Sequence, residues 1–210
     1  MIVGVLLAAG NARRFDGSQK LLAPVPNMNG ERPLPLVRLA VLGLCEAGLD
    51  HVVVLGREAE AVRASVADLG SSFVVNAAFG TGMSSSLRAG VQYALEHWRT
   101  ASGLLIALGD QPLAGSGIVE VLVERFQSAP DEPRRPLIVV PRYRGELGNP
   151  VLFDRSLAPE LLAVTGDRGA RAVVERDPRR VGYVDFDRIA PRDVDTSADL
   201  SALSNELRLL

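Results

Sequence analysis

Cysteine occurs once in the chain, at Cys45, and histidine twice, at His51 and His97. A single thiol cannot close an internal disulfide, and its setting in LAVLGLCEAG fits a buried helical thiol better than a nucleophile. Two histidines leave no material for a histidine-rich metal site. No stretch approaches the ~18 apolar residues of a membrane span, because Arg, Gly or Glu breaks the longest runs. The opening MIVGVLLAAG is apolar but has no basic start of the kind a signal peptide needs. Charge of one sign is also missing: 23 Lys and Arg face 25 Asp and Glu, for a net charge of −2. That balance gives no reason to expect binding to nucleic acid or to an anionic membrane, although a local basic patch can still hold phosphate. Repeats and low-complexity tracts are absent. What is present is 47% hydrophobic and 23% charged residues over 210 positions. Disorder is excluded by that composition, and the length suits one α/β domain over residues 1–210. The expected setting is the cytoplasm.

The apolar pattern gives the organisation. Ile2 to Ala8 reads as a strand buried on both faces, with a polar loop from Gly10 to about Lys20 after it. Leu34 to Gly48 has helical length, HVVVLG at 51–56 is another strand, and Glu58 to Leu69 is an amphipathic helix. A third strand covers 71–76. From Ser84 the positions Leu87, Val91, Leu95 and Trp98 keep helical spacing on one face. GLLIALGD at 103–110 is the clearest buried strand, with a helix expected at Ile118 to Gln127 and an exposed loop at 128–136. PLIVVPRY and NPVLF are strands joined by RGELG, which forms either a hairpin or an excursion of the sheet. Short helices near 154–163 and 169–176, a strand at 181–186 and a helix from about Ser197 complete the chain. Strands alternating with helices imply a mostly parallel sheet. Ligands of such sheets bind outside the carboxyl ends of the strands, so residues just after strands carry the functional argument.

After the first strand stands LLAAGNARRFDGSQKLLAPV. A small-residue turn lets backbone approach a ligand, and Arg13, Arg14 and Lys20 place three cations in one loop, a pattern suited to a polyphosphate. Neither GxxxxGK[ST] nor GxGxxG is present, and a solvated basic loop is the plain alternative. Asp110, in LGDQP, stands where a carboxylate holds Mg²⁺ against phosphate, or where it caps the next helix. TGMSSSLRAG at 81–90 puts three serines at a helix start, as anion-binding groups or as ordinary caps. DVDTSADL at 193–200 gathers Asp193, Asp195 and Asp199, one of which can cap the last helix.

In this order, LLAAG…R…K, TGMSSSLRAG, LGDQP, GELGNPVLF, TGDRGAR and DVDTSADL resemble the molybdenum cofactor nucleotidyltransferases, with the strongest likeness to the CTP:molybdopterin cytidylyltransferase branch. The resemblance spans residues 2 to about 200. It implies a Rossmann-like, glycosyltransferase-A-like three-layer sandwich with a mostly parallel central sheet. It implies nucleotidyl transfer from an NTP to a phosphorylated acceptor, molybdopterin being the usual one in this family, with Mg²⁺ as cofactor. Carried onto this sequence, Leu7, Ala8, Ala9 and Gly10 line base and ribose, and Arg14 and Lys20 hold the triphosphate. Gly82, Ser84 and Ser85 contact nucleotide. Asp110 and Asp195 are the metal carboxylates, and Arg14, Lys20 and Asp110 are the catalytic set. Asn149, Asp167 and Arg171 border the acceptor. LAAG rather than LAGG implies CTP over GTP, with the Ala9 methyl taking volume that a purine needs. Two departures stand out: Ala12 replaces the usual serine of the opening, and Lys20 falls one position late.

Two other classes rival this one. The first is an NAD(P)-dependent oxidoreductase, since relatives of this family perform redox chemistry on other heterocycles, although no dinucleotide-binding glycine fingerprint supports it. The second is a non-catalytic nucleotide-binding or chaperone module for molybdoenzyme maturation. Retention of Lys20, Asp110 and Asp195 argues against lost catalysis, while leaving room for transient contact with a molybdoenzyme or its chaperone.

Overall fold

The aliphatic run at the N-terminus forms β1 (Ile2–Ala8). Its residues alternate between two cores: Val3 and Val5 pack into one, Ile2, Leu6 and Ala8 into the other. Burial on both faces is why the strand reads as an unbroken apolar run rather than an alternating one. The computed structural model describes residues 1–10, 19–26, 32–112, 117–128 and 135–207. β1 sits between β4 (Asp50–Leu55) and β6 (Gly103–Leu108), parallel to both, and β5 (Ser72–Val75) lies beyond β4 at the edge. On the other side come β7 (Ile138–Tyr143), β9 (Val151–Asp154) and β10 (Val181–Phe186), in the order β10-β7-β9-β6-β1-β4-β5. β9 runs antiparallel to both neighbours, β6 and β7, while the other six strands of this row share one direction. The mostly parallel sheet expected from the sequence is therefore present. RGELG is both of the expected alternatives at once, because β8 (Glu146–Leu147) turns back on β7 before the chain crosses to β9.

Helices cover both faces. α1 (Leu36–Glu46), α2 (Ala59–Val66) and α4 (Ile118–Gln127) bury Val41, Leu44, Val62, Leu122 and Phe126 in one core. α3 (Met83–His97), α5 (Ala158–Leu162) and α6 (Arg171–Val174) bury Leu87, Val91, Leu161 and Val173 in the other. The result is the three-layer α/β sandwich. α3 lies unusually close to the sheet: a Cβ at Gly90 would overlap the Val5 side chain and stand 2.7 Å from that of Val54. Glycine at this position lets the helix settle on β1 and β4 and fixes where its N-terminus falls.

Several boundaries are narrower than the sequence suggests. The stretch Glu58 to Leu69 becomes α2, which starts only after Glu58 with its left-handed φ of 54°, plus a 3-10 turn at Ala67–Leu69. The region 154–163 likewise divides into a 3-10 turn, Arg155–Leu157, and α5. A two-stranded ribbon of β2 (Pro24–Val25) and β3 (Leu34–Pro35) is not anticipated by the sequence pattern, since two residues carry no periodicity. α7 (Ser197–Leu207) packs through Leu203 onto Val25, Leu36 and Val194 in a small third cluster. Among the described residues no helix is long and apolar enough to cross a membrane.

β1, β4, β5 and β6 end at one edge of the sheet, and the antiparallel β9 begins there, with Val151 opposite Ile106. This edge carries the site.

Candidate active site

Three residues far apart in sequence meet at the ends of β1 and β6. Lys20 Nζ donates to Asp110 Oδ2 at 2.7 Å and to Asp195 Oδ1 at 2.7 Å, across 90 and 175 positions of chain. Each arrives for a local reason. Lys20 opens the 3-10 turn Lys20–Leu22, which Leu21 anchors in the core. Asp110 stands two positions past the end of β6, after Gly109. Asp195 is brought in by Val194, which is 1% exposed in the third cluster and whose N–H bonds the Asp110 carbonyl at 3.1 Å. Of the three aspartates in this segment, Asp199 is the one that caps the helix. Its carboxylate accepts from Thr196 N and Oγ1, and the Thr196 hydroxyl accepts from Asp199 N in return. This reciprocal arrangement is that of a capping box. It leaves Asp195 for Lys20.

The Lys20 ammonium is largely buried, and burial alone would lower its pKa. The Asp110 and Asp195 carboxylates beside it outweigh that effect and hold it above its ordinary value. Asp193, next in the same segment, is pushed up by burial of its carboxyl and by the charge of Asp110, although Gln111 donates to it. Negative charge is thus concentrated here, with one buried ammonium at its centre.

The carboxylates of Asp110 and Asp195 converge on one cation, which is the donor geometry a divalent ion needs from the protein. Mg²⁺ typically takes only one or two carboxylates and completes its shell with phosphate and water. Among the described residues no group of three or more His, Cys, Asp or Glu gathers as a self-sufficient metal site. The residues fit an ion that arrives with a phosphate ligand.

Beside this cluster the edge opens into a two-lobed cavity. The larger lobe, about 390 Å³, is lined by Leu7, Ala9, Gly10, Lys20, Phe79, Gly82, Ser86 and Asp110 among others. Nucleotide-sized ligand sites run ~300–1,000 Å³. The smaller lobe, about 180 Å³, is mainly apolar, with Ile106, Leu108, Val140 and Val151 on its floor and Asn149, Arg168 and Arg171 around it. Leu7, Met83, Leu108 and Asp167 border both lobes.

Of the residues expected from the sequence, Leu7, Ala9, Gly10, Lys20, Gly82 and Asp110 meet in the larger lobe. Asn149, Asp167 and Arg171 meet in the smaller one. Asn149 is set by Tyr143, whose hydroxyl donates to the Asn149 carbonyl at 3.1 Å; burial pushes this phenol up to about 12, so the donor proton stays in place. Arg14 lies outside the described residues.

Three expectations are corrected. Ala8 is not a cavity residue: strand alternation turns it into the opposite core, where it is 1% exposed. Ser84 and Ser85 do not line the cavity either. Ser84 N–H bonds the Gly166 carbonyl, and Ser85 Oγ donates to the Ala78 and Gly82 carbonyls. The serine on the wall is Ser86, one helical step further round. Nor is the start of α3 a free anion site. Met83 N–H bonds the Asp167 carboxylate at 3.3 Å, so a negative charge from 84 positions away already stands at the positive end of the helix. Gly82 makes this possible, with φ 115° and no room for a side chain, since a Cβ would lie 2.7 Å from Asp167 Oδ1. Phe79 was missed by sequence reasoning, while Met83 and Ser86 were covered only as part of the TGMSSSLRAG segment. The phase of α3, read from Leu87 and Val91, is the signal that could have singled out Ser86.

Known proteins share this fold. A solved structure of Rv0371c from Mycobacterium tuberculosis is 30% identical and superposes with a TM-score of 0.80, covering 97% of each chain. A second structure of that protein, at 28% identity and TM-score 0.77 over 97% of this chain and 98% of that one, is a complex with manganese. Nicotine blue oxidoreductase of Paenarthrobacter nicotinovorans is 33% identical over 199 residues, 93% of this chain and 92% of that protein. The fold alone is shared with CMP:2-keto-3-deoxy-manno-octonic acid synthetase complexed with CTP, at 14% identity and TM-score 0.69 over 99% and 98% of the chains. With the family model of the MobA-like NTP transferase domain matching residues 4–181, the chain belongs to the MobA-like NTP transferase family.

Proposed function

We propose that this nucleotidyltransferase-family protein moves CMP from CTP onto the phosphate of molybdopterin and releases pyrophosphate. The observation that carries the reading is the convergence of Lys20, Asp110 and Asp195 at the mouth of a two-lobed cavity. In the reaction an acceptor phosphate oxygen forms a bond to the α-phosphorus, and the bond from that phosphorus to the β-phosphate bridging oxygen breaks. The nucleophile is already ionised at neutral pH, so no general base is needed and two histidines suffice. Asp110 and Asp195 would hold Mg²⁺, which supplies charge neutralisation at the phosphates. The manganese complex of Rv0371c supports a divalent ion. Lys20 then leaves the carboxylates for the triphosphate, where an ammonium stabilises the departing charge. Arg14, six positions before Lys20 in the sequence, adds a second cation on this reading. The larger lobe receives the nucleotide and the apolar lobe the acceptor ring, with Arg168 and Arg171 facing its phosphate. The protein works in the cytoplasm and passes its product to a molybdoenzyme or its chaperone. A pyrophosphate-release screen of four NTPs against phosphorylated acceptors, molybdopterin included, tests the reading. Release with CTP and molybdopterin supports it; release only with another acceptor keeps the chemistry and replaces the substrate.

One observation favours a second reading: the 33% identical relative is named an oxidoreductase. On this reading the apolar lobe takes a planar heterocycle and NAD(P)H supplies the hydride. Loss of NADH absorbance in the presence of such an acceptor, with no pyrophosphate released from any NTP, would establish it.

A further inference from the structure

Asn76 closes β5 and is 7% exposed, and all three of its side-chain hydrogen bonds are local to the site. Its backbone N–H is fixed to the Leu55 carbonyl at the end of β4. Its Oδ1 accepts from Ala78 N–H at 2.9 Å. Because a backbone N–H can only donate, this contact decides which end of the amide is oxygen, and the Nδ2 group must face α3. There it donates to Ser85 Oγ at 2.8 Å and Ser86 Oγ at 3.0 Å. The Ser85 hydroxyl hydrogen goes on to the Ala78 or Gly82 carbonyl. Ser86 differs. Its oxygen has accepted from Asn76, and its hydrogen has no acceptor among the described residues, although the side chain is 6% exposed and lines the larger lobe. A buried hydroxyl with an unused donor is costly unless a ligand completes it.

We propose that Asn76 is a positioning residue that fixes the polarity of Ser86, so that Ser86 presents a hydrogen-bond donor to an acceptor atom on the nucleobase. This rests on the nucleotide reading of the larger lobe. Ser86 lines the same lobe as Phe79, Gly80 and Gly82, an aromatic ring and two residues without side chains, which is room for a flat base. The phosphate-binding groups Lys20 and Asp110 belong to the strand ends instead. Asn76 does not line the cavity; it acts through Ser86.

The polarity can be inverted with little change of shape. In Asn76→Asp the group facing Ser86 becomes an acceptor, so the Ser86 hydrogen turns inward and its lone pairs face the ligand. Binding of CTP and of inorganic tripolyphosphate is measured by calorimetry on the full chain with Mn²⁺ present. Ser86→Ala is expected to weaken CTP roughly threefold to tenfold, the loss of one neutral hydrogen bond. Asn76→Asp is expected to weaken it roughly tenfold or more, because an acceptor then meets an acceptor. The double variant should bind no worse than Ser86→Ala, since without the hydroxyl there is no polarity to invert. Tripolyphosphate affinity should not move in any of them. Asn76→Asp binding CTP as well as wild type, or a loss shared equally by tripolyphosphate, overturns the proposal. Should Asn76→Asp not fold, Ser86→Ala decides alone, and unchanged CTP affinity overturns it. Wild type that binds none of the four NTPs removes the nucleotide reading itself, an outcome distinct from wild-type binding that Ser86→Ala leaves intact.

Discussion

The two lobes of the cavity are built differently. In the larger one the charged groups are tied across the whole fold: Lys20 reaches Asp110 over 90 positions and Asp195 over 175, with the lysine side chain only 11% exposed. In the smaller one the arginines are tied locally. Arg171 pairs with Glu175 four positions on, its side chain 70% exposed, and Arg168 meets the same glutamate. Long-range pairing to a buried ammonium fixes geometry, because moving the carboxylates away strands the Lys20 charge in a poorly solvated place. Exposed local pairs contribute about 0–1 kcal/mol and can rearrange at little cost. On the proposed reading the contrast suits the larger lobe to phosphate and metal, the invariant part of the reaction. The same reading leaves the adaptable part, the acceptor, to the smaller.

The sharpest way to break this comparison is at Lys20. Lys20→Ala removes a charge-assisted phosphate contact and is expected to cost about 2–3 kcal/mol of transition-state stabilisation, roughly 30- to 150-fold in kcat/KM. In the nucleotide-free protein the same substitution should act in the opposite direction on metal: with the ammonium gone, Asp110 and Asp195 are left to Mn²⁺, and its affinity should rise. Steady-state kinetics and a Mn²⁺ titration monitored by electron paramagnetic resonance check the two halves. Near-native turnover would remove Lys20 from the machinery.

The carboxylates come next. Asp110→Asn and Asp195→Asn should each weaken Mn²⁺ binding and kcat/KM by roughly tenfold or more, and the double variant should cost less than the product because one ion is shared. If Asp195→Asn leaves the metal titration unchanged, Asp195 serves only to hold Lys20, and the second ligand lies elsewhere.

How much of this was legible in the sequence differs between the lobes for the same reason that their chemistry differs. β1 and β6 announce themselves as aliphatic runs, and a parallel sheet puts the residues at their carboxyl ends, Gly10 and Asp110, on one edge. Asp195 could be nominated from its motif. Its route to the site could not be read, because that route depends on Val194 joining Val25, Leu36 and Leu203, a contact with no local signature. The serines show a finer limit. One residue along a helix is about 100° of rotation, so choosing Ser84 and Ser85 instead of Ser86 is a small error in phase with a large consequence for which hydroxyl meets a ligand. Asp167 shows another, since a helix cap supplied from 84 positions away leaves no mark near the helix it caps.

In the smaller lobe the expected effects are modest. Arg171→Ala should raise the KM for the acceptor by roughly threefold to fivefold and leave kcat and the melting temperature nearly unchanged, since its ion pair is exposed. A loss comparable to that of Lys20→Ala would mean that both lobes are equally committed, and the contrast between them would fail.

The smallest effect is expected at Ala9, whose methyl takes volume that a purine needs. Ala9 lines the larger lobe, yet it is 3% exposed, belongs to the core with Val5 and Val54, and packs against Gly56, where a Cβ would stand 2.8 Å from its own. The methyl is therefore held by the end of β4 as much as it faces a ligand. One methyl in a fully apposed pocket discriminates by about 1–3 kcal/mol, and a methyl shared with the core falls at or below the lower end. Competition between CTP and GTP should favour CTP in wild type, and Ala9→Gly should shrink the margin by no more than roughly threefold. It should also lower the melting temperature, because the glycine gives up core contact and loosens the strand end. If the margin collapses while stability holds, the methyl faces the base and the turn reads purine against pyrimidine directly. If stability falls and the margin holds, discrimination belongs to the opposite wall, where Ser86 and Phe79 stand.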